Sequence, residues 1–189
     1  MLPLLALLWL AQAPGAREAA TAQELAESLH KRIRAFEERH KAGQPPAERS
    51  ALVTDAELTA YLNLLTKLPA SLIGVEVRFE KERLLARGQL DLDLLQSELG
   101  GVSFGPLFSG RMPVTLRGRL SNDDGFGTLA LEEARLGAIP LSPSVLAAMV
   151  ASATRSSERP NGFDILAPFR YPYGLRAVKL SPGRALLEF

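Results

Sequence analysis

Cysteine is missing altogether from the 189 residues, which excludes a disulfide framework, thiolate metal sites and thiol nucleophiles. The fold must stand on packing. An excess of charge of either sign is missing too: 22 Lys and Arg face 21 Asp and Glu, a net charge of +1. Such a chain has no strong field with which to gather nucleic acid or an anionic membrane surface, so neither is expected as a principal partner. Aromatic residues are scarce, at 6% against 47% hydrophobic, so aliphatic side chains must fill the core. Histidine occurs twice, at His30 and His40. The apolar run from Met1 to Ala13 is shorter than the roughly 20 residues a membrane-crossing helix needs.

That run reads as the apolar region of a signal peptide, with the terminal amine as its only positive charge, the alternative being a buried N-terminal helix of a cytosolic protein. Ala11-Gln12-Ala13 is a small-residue site spoiled by Pro14, which moves the expected cleavage to a point after Gly15. No cysteine follows to carry a lipoprotein anchor. A periplasmic or secreted location is therefore expected. The length suits one domain, divided as a signal peptide over 1–15, an N-terminal amphipathic helix and linker over 16–45, and a single α+β domain over 46–189.

Thr21-Ala-Gln-Glu24 has the form of a capping box, and Leu25, Leu29, Ile33 and Phe36 follow as a narrow apolar stripe. The pattern predicts a helix over 21–42 ending near Gly43. Thr54-Asp-Ala-Glu57 opens a second helix, with Leu58, Tyr61, Leu62 and Leu65 on one side before Pro69. From residue 74 the period falls to two. Val75, Val77 and Phe79 form one face, and then Leu84, Ala86, Gly88, Leu90, Leu92 and Leu94 read as the apolar face of one long strand. Val114, Leu116, Gly118 and Leu120 repeat the alternation, and Asn122-Asp-Asp-Gly125 turns the chain back into Leu129 and Leu131. Ser142-Pro143 starts a short helix through Val145, Leu146, Met149 and Val150. A closing hairpin turns at Ser181-Pro-Gly183. The fold class is α+β: a curved antiparallel sheet of hairpins wrapped around or packed on helices.

Four patterns in the chain bear on catalytic chemistry. Gly101-Val-Ser103-Phe-Gly105 matches the nucleophile elbow, but that fold places its histidine after the serine, and both histidines precede Ser103. Ser28-Leu-His-Lys31 lies on the amphipathic helix without the companion motifs of the serine-lysine enzymes. His30 and His40 are separated by ten residues and face different sides of a helix, which prevents a shared metal site. Asp91 and Asp93 share the outward strand face, where Arg87, Arg117 and Arg119 offer cross-strand partners, so a structural role is the commoner outcome. No catalytic residue, metal or cofactor is expected.

The apolar sheet face has three possible covers: the Leu58 helix, the helix carrying Leu146 and Met149, and the first helix. Solid packing and a partly open groove both satisfy the composition. The loop from Gly100 to Gly110 carries Phe104 and Phe108, and Pro168-Phe-Arg-Tyr-Pro-Tyr173 combines aromatics with a cation. Each suits a gate over an apolar pocket, a peripheral membrane contact, or a plug at one end of the core.

Val53-Thr-Asp-Ala-Glu57-Leu-Thr-Ala-Tyr61-Leu-Asn63, Leu136-Gly-Ala-Ile139-Pro-Leu-Ser-Pro143 and the ending Leu175 to Phe189 resemble bacterial envelope members of the tubular lipid-binding superfamily, related to BPI-like domains. The resemblance lies within residues 50–189. It implies a groove for acyl chains, lined by Leu58, Tyr61 and Leu62 with Leu90, Leu92, Leu116 and Ile139 opposite. The partner would be a lipid or another apolar small molecule. The charged helix over 21–42 departs from that pattern and is a candidate contact for an envelope protein, which gives the competing expectation of a solidly packed interaction module.

Overall fold

The structure, a computed structural model, describes residues 14–98, 109–155 and 160–189, and within these the side chains other than those of 14–20, 152 and 153. The architecture is α+β, as the sequence led us to expect. Helix α1 (Pro14–Lys41) starts seven residues before the anticipated cap. Ala16, Arg17, Glu18, Ala19 and Ala20 are good helix formers, and proline is tolerated in a first turn, so Thr21 lies inside the helix. The helix stops as a Schellman motif: Gly43 N–H donates to the His40 carbonyl and Gln44 N–H to that of Arg39. Ala26 and Leu29 are its buried residues.

Strand β1 (Ser50–Thr54) leads straight into α2 (Asp55–Leu65). The capping box anticipated here is present: Thr54 Oγ1 accepts from Glu57 N–H, and the Glu57 carboxylate accepts from Thr54 N–H. Strands β2 (Leu72–Glu80), β3 (Arg83–Asp91), β4 (Arg111–Asp123), β5 (Phe126–Leu136) and the two-residue β6 (Ile139–Pro140) form an antiparallel meander, and β7 (Phe169–Arg170) also pairs with β5. Asp124 and Gly125 both have positive φ between β4 and β5, the backbone form that a two-residue hairpin turn requires.

One expectation is corrected here. The strand through Leu84 ends at Asp91, and residues Leu92–Glu98 form a short helix, α3. Asp91 caps it, its carboxylate accepting from Leu94 N–H, so Leu92 and Leu95 turn inward at helical spacing while Leu94 points out. Helix α4 (Pro143–Ala153) begins at the predicted proline, with Ser142 Oγ accepting from Val145 N–H.

The last two strands, β8 (Ala177–Ser181) and β9 (Arg184–Glu188), make the predicted closing hairpin, and β1 adds to β9 to give a second, three-stranded antiparallel sheet. The hairpin tip docks on the first sheet through backbone: Gly183 N–H donates to the Phe79 carbonyl, and Asp55 N–H donates to that of Gly183. Val75, Val77 and Phe79 then pack with Leu180 and Ala185 as one core cluster spanning both sheets.

Candidate functional site

The large sheet segregates its two faces by register. Val77, Ala86, Leu116 and Ala134 make one row across β2 to β5, and Phe79, Leu84, Gly118 and Leu131 make the next. The opposite face carries Glu76, Arg87, Thr115 and Arg135 in one row and Arg78, Leu85, Arg117 and Glu133 in another. A bulge between Arg117 and Gly118 adds Glu132 to this charged face. Arg83 and Arg119 stand directly opposite each other, and Glu132 bridges them at 2.7 and 3.7 Å. The Arg83 hydrogen bond, joined by the charge of both arginines, outweighs burial and holds the Glu132 carboxyl below its ordinary range.

The apolar face is covered at two places. At the β2 side the first cluster is flanked by Leu58 and Leu62 of α2. At the other end Leu90, Leu92, Leu95 and Leu136 form a second cluster, against which Met112, Val114, Leu141 and Met149 pack. Between them Leu116 and Leu131 belong to neither cluster and are only half-buried, as is Leu129, which lies opposite Leu120 beside the first cluster. The aliphatic surface therefore continues from one covered patch to the other through a strip of half-buried side chains.

The residues expected to line a groove are distributed around this strip. Leu116 lies in it, Leu58 and Leu62 flank the first cluster, and Leu90, Leu92 and Met149 belong to or flank the second. Leu146 is buried on α4. Ile139 sits at the sheet margin, 40% exposed. Tyr61 faces α1, its ring stacked 6.1 Å from that of His30. Ser103, Phe104 and Phe108 lie outside the described residues. Leu129, Leu131 and Leu95 were not singled out as site residues. The first two were legible as the inward positions of β5, and Leu95 as a helical partner of Leu92.

The titratable groups weighed as chemistry are engaged elsewhere. Asp91 is held below the ordinary aspartate range by the Leu94 amide first, and then by Arg111 at 3.3 Å, against the opposing push of burial. Asp93 is in the helix, where its carboxylate accepts from Gly110 N–H. The partners anticipated for these two acids pair otherwise: Arg117 bonds Glu80, and Arg119 bonds Glu82 and Glu132. His40 lies edge-on to Tyr173 at the far end of α1 from the Tyr61 stack.

Helix α1 lies on α2 rather than in the strip. Arg32 reaches the Leu52 carbonyl and the Glu57 carboxylate, both at 2.5 Å, and Phe36 packs 4.8 Å from Phe189. An open groove of about 540 Å³ runs between the two helices, lined by Leu25, Ala56, Ala60 and Leu64 among others. Among the described residues no helix is long and apolar enough to cross a membrane. No family model, no curated protein and no solved structure matches the chain.

Proposed function

We propose that this chain binds a lipid or another apolar small molecule in the cell envelope, in a periplasmic or secreted setting, and performs no bond chemistry. The observation that carries this reading is the half-buried strip of Leu116, Leu131 and Leu129 that runs from between two otherwise separate core clusters to the side of the first. An acyl chain laid along it gains about 0.8 kcal/mol per methylene removed from water. Association costs at least about 4 kcal/mol, so a chain must bury more than about five methylenes before it is retained. Long-chain ligands are favoured on that arithmetic. Engagement of the acidic and imidazole groups in caps, ion pairs and ring stacks supports holding over catalysis. The same reading agrees with the resemblance of residues 50–189 to the tubular lipid-binding superfamily. The apolar stripe of α1 is used against α2, which leaves its charged face as the surface for any protein partner.

The test is uptake of a fluorescent fatty acid, with solvent extraction and mass spectrometry of the natively purified protein. Leu116→Trp fills the strip from a strand position that is not fully buried. It is expected to lower affinity about tenfold, which corresponds to about 1.4 kcal/mol, with an unchanged far-ultraviolet spectrum. A protein that retains no lipid and takes up no fatty acid rules the reading out.

A further inference from the structure

A recess of about 500 Å³ lies away from the apolar strip, where three distant parts of the chain meet. Its walls are His40 at the end of α1, the turn Asp124–Phe126 between β4 and β5, and the segment Arg170–Arg176. The turn and the segment are joined by backbone. Tyr171 N–H donates to the Gly125 carbonyl at 2.8 Å, Gly125 N–H to that of Arg176 at 2.9 Å, and Arg176 N–H to that of Glu188 at 2.7 Å. The Tyr171 ring is 8% exposed, and its hydroxyl donates to Asn122 Oδ1 at 2.7 Å. Tyr173 holds the left-handed conformation at φ +58° beside Gly174 at +77°, a backbone form that a bulky residue rarely adopts. That turn sets the Tyr173 ring beside the His40 imidazole.

On the sheet, Arg78, Arg83, Arg117, Arg119 and Arg135 have carboxylate partners, while Arg87 makes no ion pair among the described residues. Arg170 and Arg176 at the recess make no ion pair among the described residues, and nearby Glu188 is taken by Lys179 at 2.6 Å. Phe126 beside them is 46% exposed. Two guanidinium groups, an imidazole and aromatic rings thus surround a space large enough for a small organic molecule, opposed by the single carboxylate of Asp124.

We propose that this recess binds a phosphoester: Arg170 and Arg176 hold the phosphoryl oxygens, and Phe126 and Tyr173 take the apolar part of the molecule. Guanidinium groups match phosphate geometry through paired N–H donors, and planar rings supply contact area at small entropic cost. The phosphoester is either a free small molecule or the headgroup of an anionic lipid. This inference does not rest on the apolar strip, and it stands or falls separately from acyl-chain binding.

Titration calorimetry of the full chain with phenyl phosphate, and sedimentation with phosphatidylglycerol vesicles against phosphatidylcholine vesicles, separates the two sources. Arg170→Gln combined with Arg176→Gln is expected to weaken whichever interaction is observed by at least about tenfold. Both side chains are exposed, so the thermal midpoint should not move. Asp124→Asn, which keeps a residue favoured in this turn, is expected to strengthen binding by removing the opposing charge. Saturable binding of phenyl phosphate supports the free-molecule source, and sedimentation with phosphatidylglycerol alone supports the headgroup. Failure to bind either probe, or binding that the double variant leaves unchanged, overturns the proposal.

Discussion

At the residue scale, Glu57 ties three elements together. Its carboxylate accepts from Thr54 N–H at 2.8 Å and Thr54 Oγ1 at 3.1 Å, and it pairs with Arg32, so one side chain links α1, β1 and α2. Burial pushes its pKa up, but the Thr54 amide and the Arg32 charge together prevail and leave it below 4.5. A carboxyl depressed in the folded state stabilises above its unfolded value, and that contribution is lost as pH falls through the lower folded one. The thermal midpoint should therefore decline below about pH 4.5. Glu57→Gln is expected to cost about 1 kcal/mol at neutral pH through the Arg32 guanidinium left without its counter-charge, the glutamine amide oxygen still accepting the cap bond from Thr54 N–H. Its midpoint should then decline less steeply in acid than that of the unmodified chain. Parallel midpoint curves for the two proteins would assign the acid sensitivity to Asp91, Glu132 and Glu37, which are depressed as well.

At the scale of elements, side-chain amides do the joining that strand pairing does not. Asn63 of α2 accepts from Val75 N–H and donates to the Val75 carbonyl, and Thr59 exchanges hydrogen bonds with Val77, so the helix satisfies the free edge of β2. Asn122 treats Val178 of β8 in the same way and also receives the Tyr171 hydroxyl. Asn122→Ala should cost about 2–3 kcal/mol in denaturant unfolding, because it leaves an amide, a carbonyl and a hydroxyl without partners. Tyr171→Phe should cost about 1 kcal/mol, and the double variant less than the sum, as expected for groups that share a partner. Simple additivity would refute the shared network. None of this was legible beforehand: Asn122 was read as a turn residue, since cross-sheet bonds leave no periodic trace. The hairpins were legible because alternation and turn chemistry are local. The same locality misled at Leu92, where period two runs on through a helix cap, and at Thr21, where a capping pattern is overridden by upstream helix formers. Leu116 was readable as an inward strand position. The recess was not, because His40, Asp124 and Arg176 meet only through tertiary structure; the sequence singles out His40, the turn ending at Gly125 and the aromatic cluster ending at Tyr173, each apart from the others.

At the scale of the whole molecule, the two ends of the apolar strip are closed by unequal means. The first cluster is built from strands of both sheets and locked by the Gly183 backbone bonds, whereas α4 reaches the second cluster through Met149 and leaves Val145 48% exposed. Elements with few buried contacts open at lower free energy than the sheet they cover, so on the proposed lipid-binding reading α4 is the element through which an acyl chain would enter. Its far end is held where Gly162 closes on Ala151: a Cβ there would lie 1.7 Å from the Ala151 carbonyl oxygen, so no side chain fits without displacing the helix. Gly162→Ala should therefore loosen α4 selectively. In hydrogen exchange, the amides of α4 are expected to exchange faster than those of β3 and β4, faster still in Gly162→Ala, and more slowly once a fatty acid is bound. Protection of α4 equal to that of the central strands, unaltered by fatty acid, would mean that this end of the strip does not open and that any ligand must enter elsewhere.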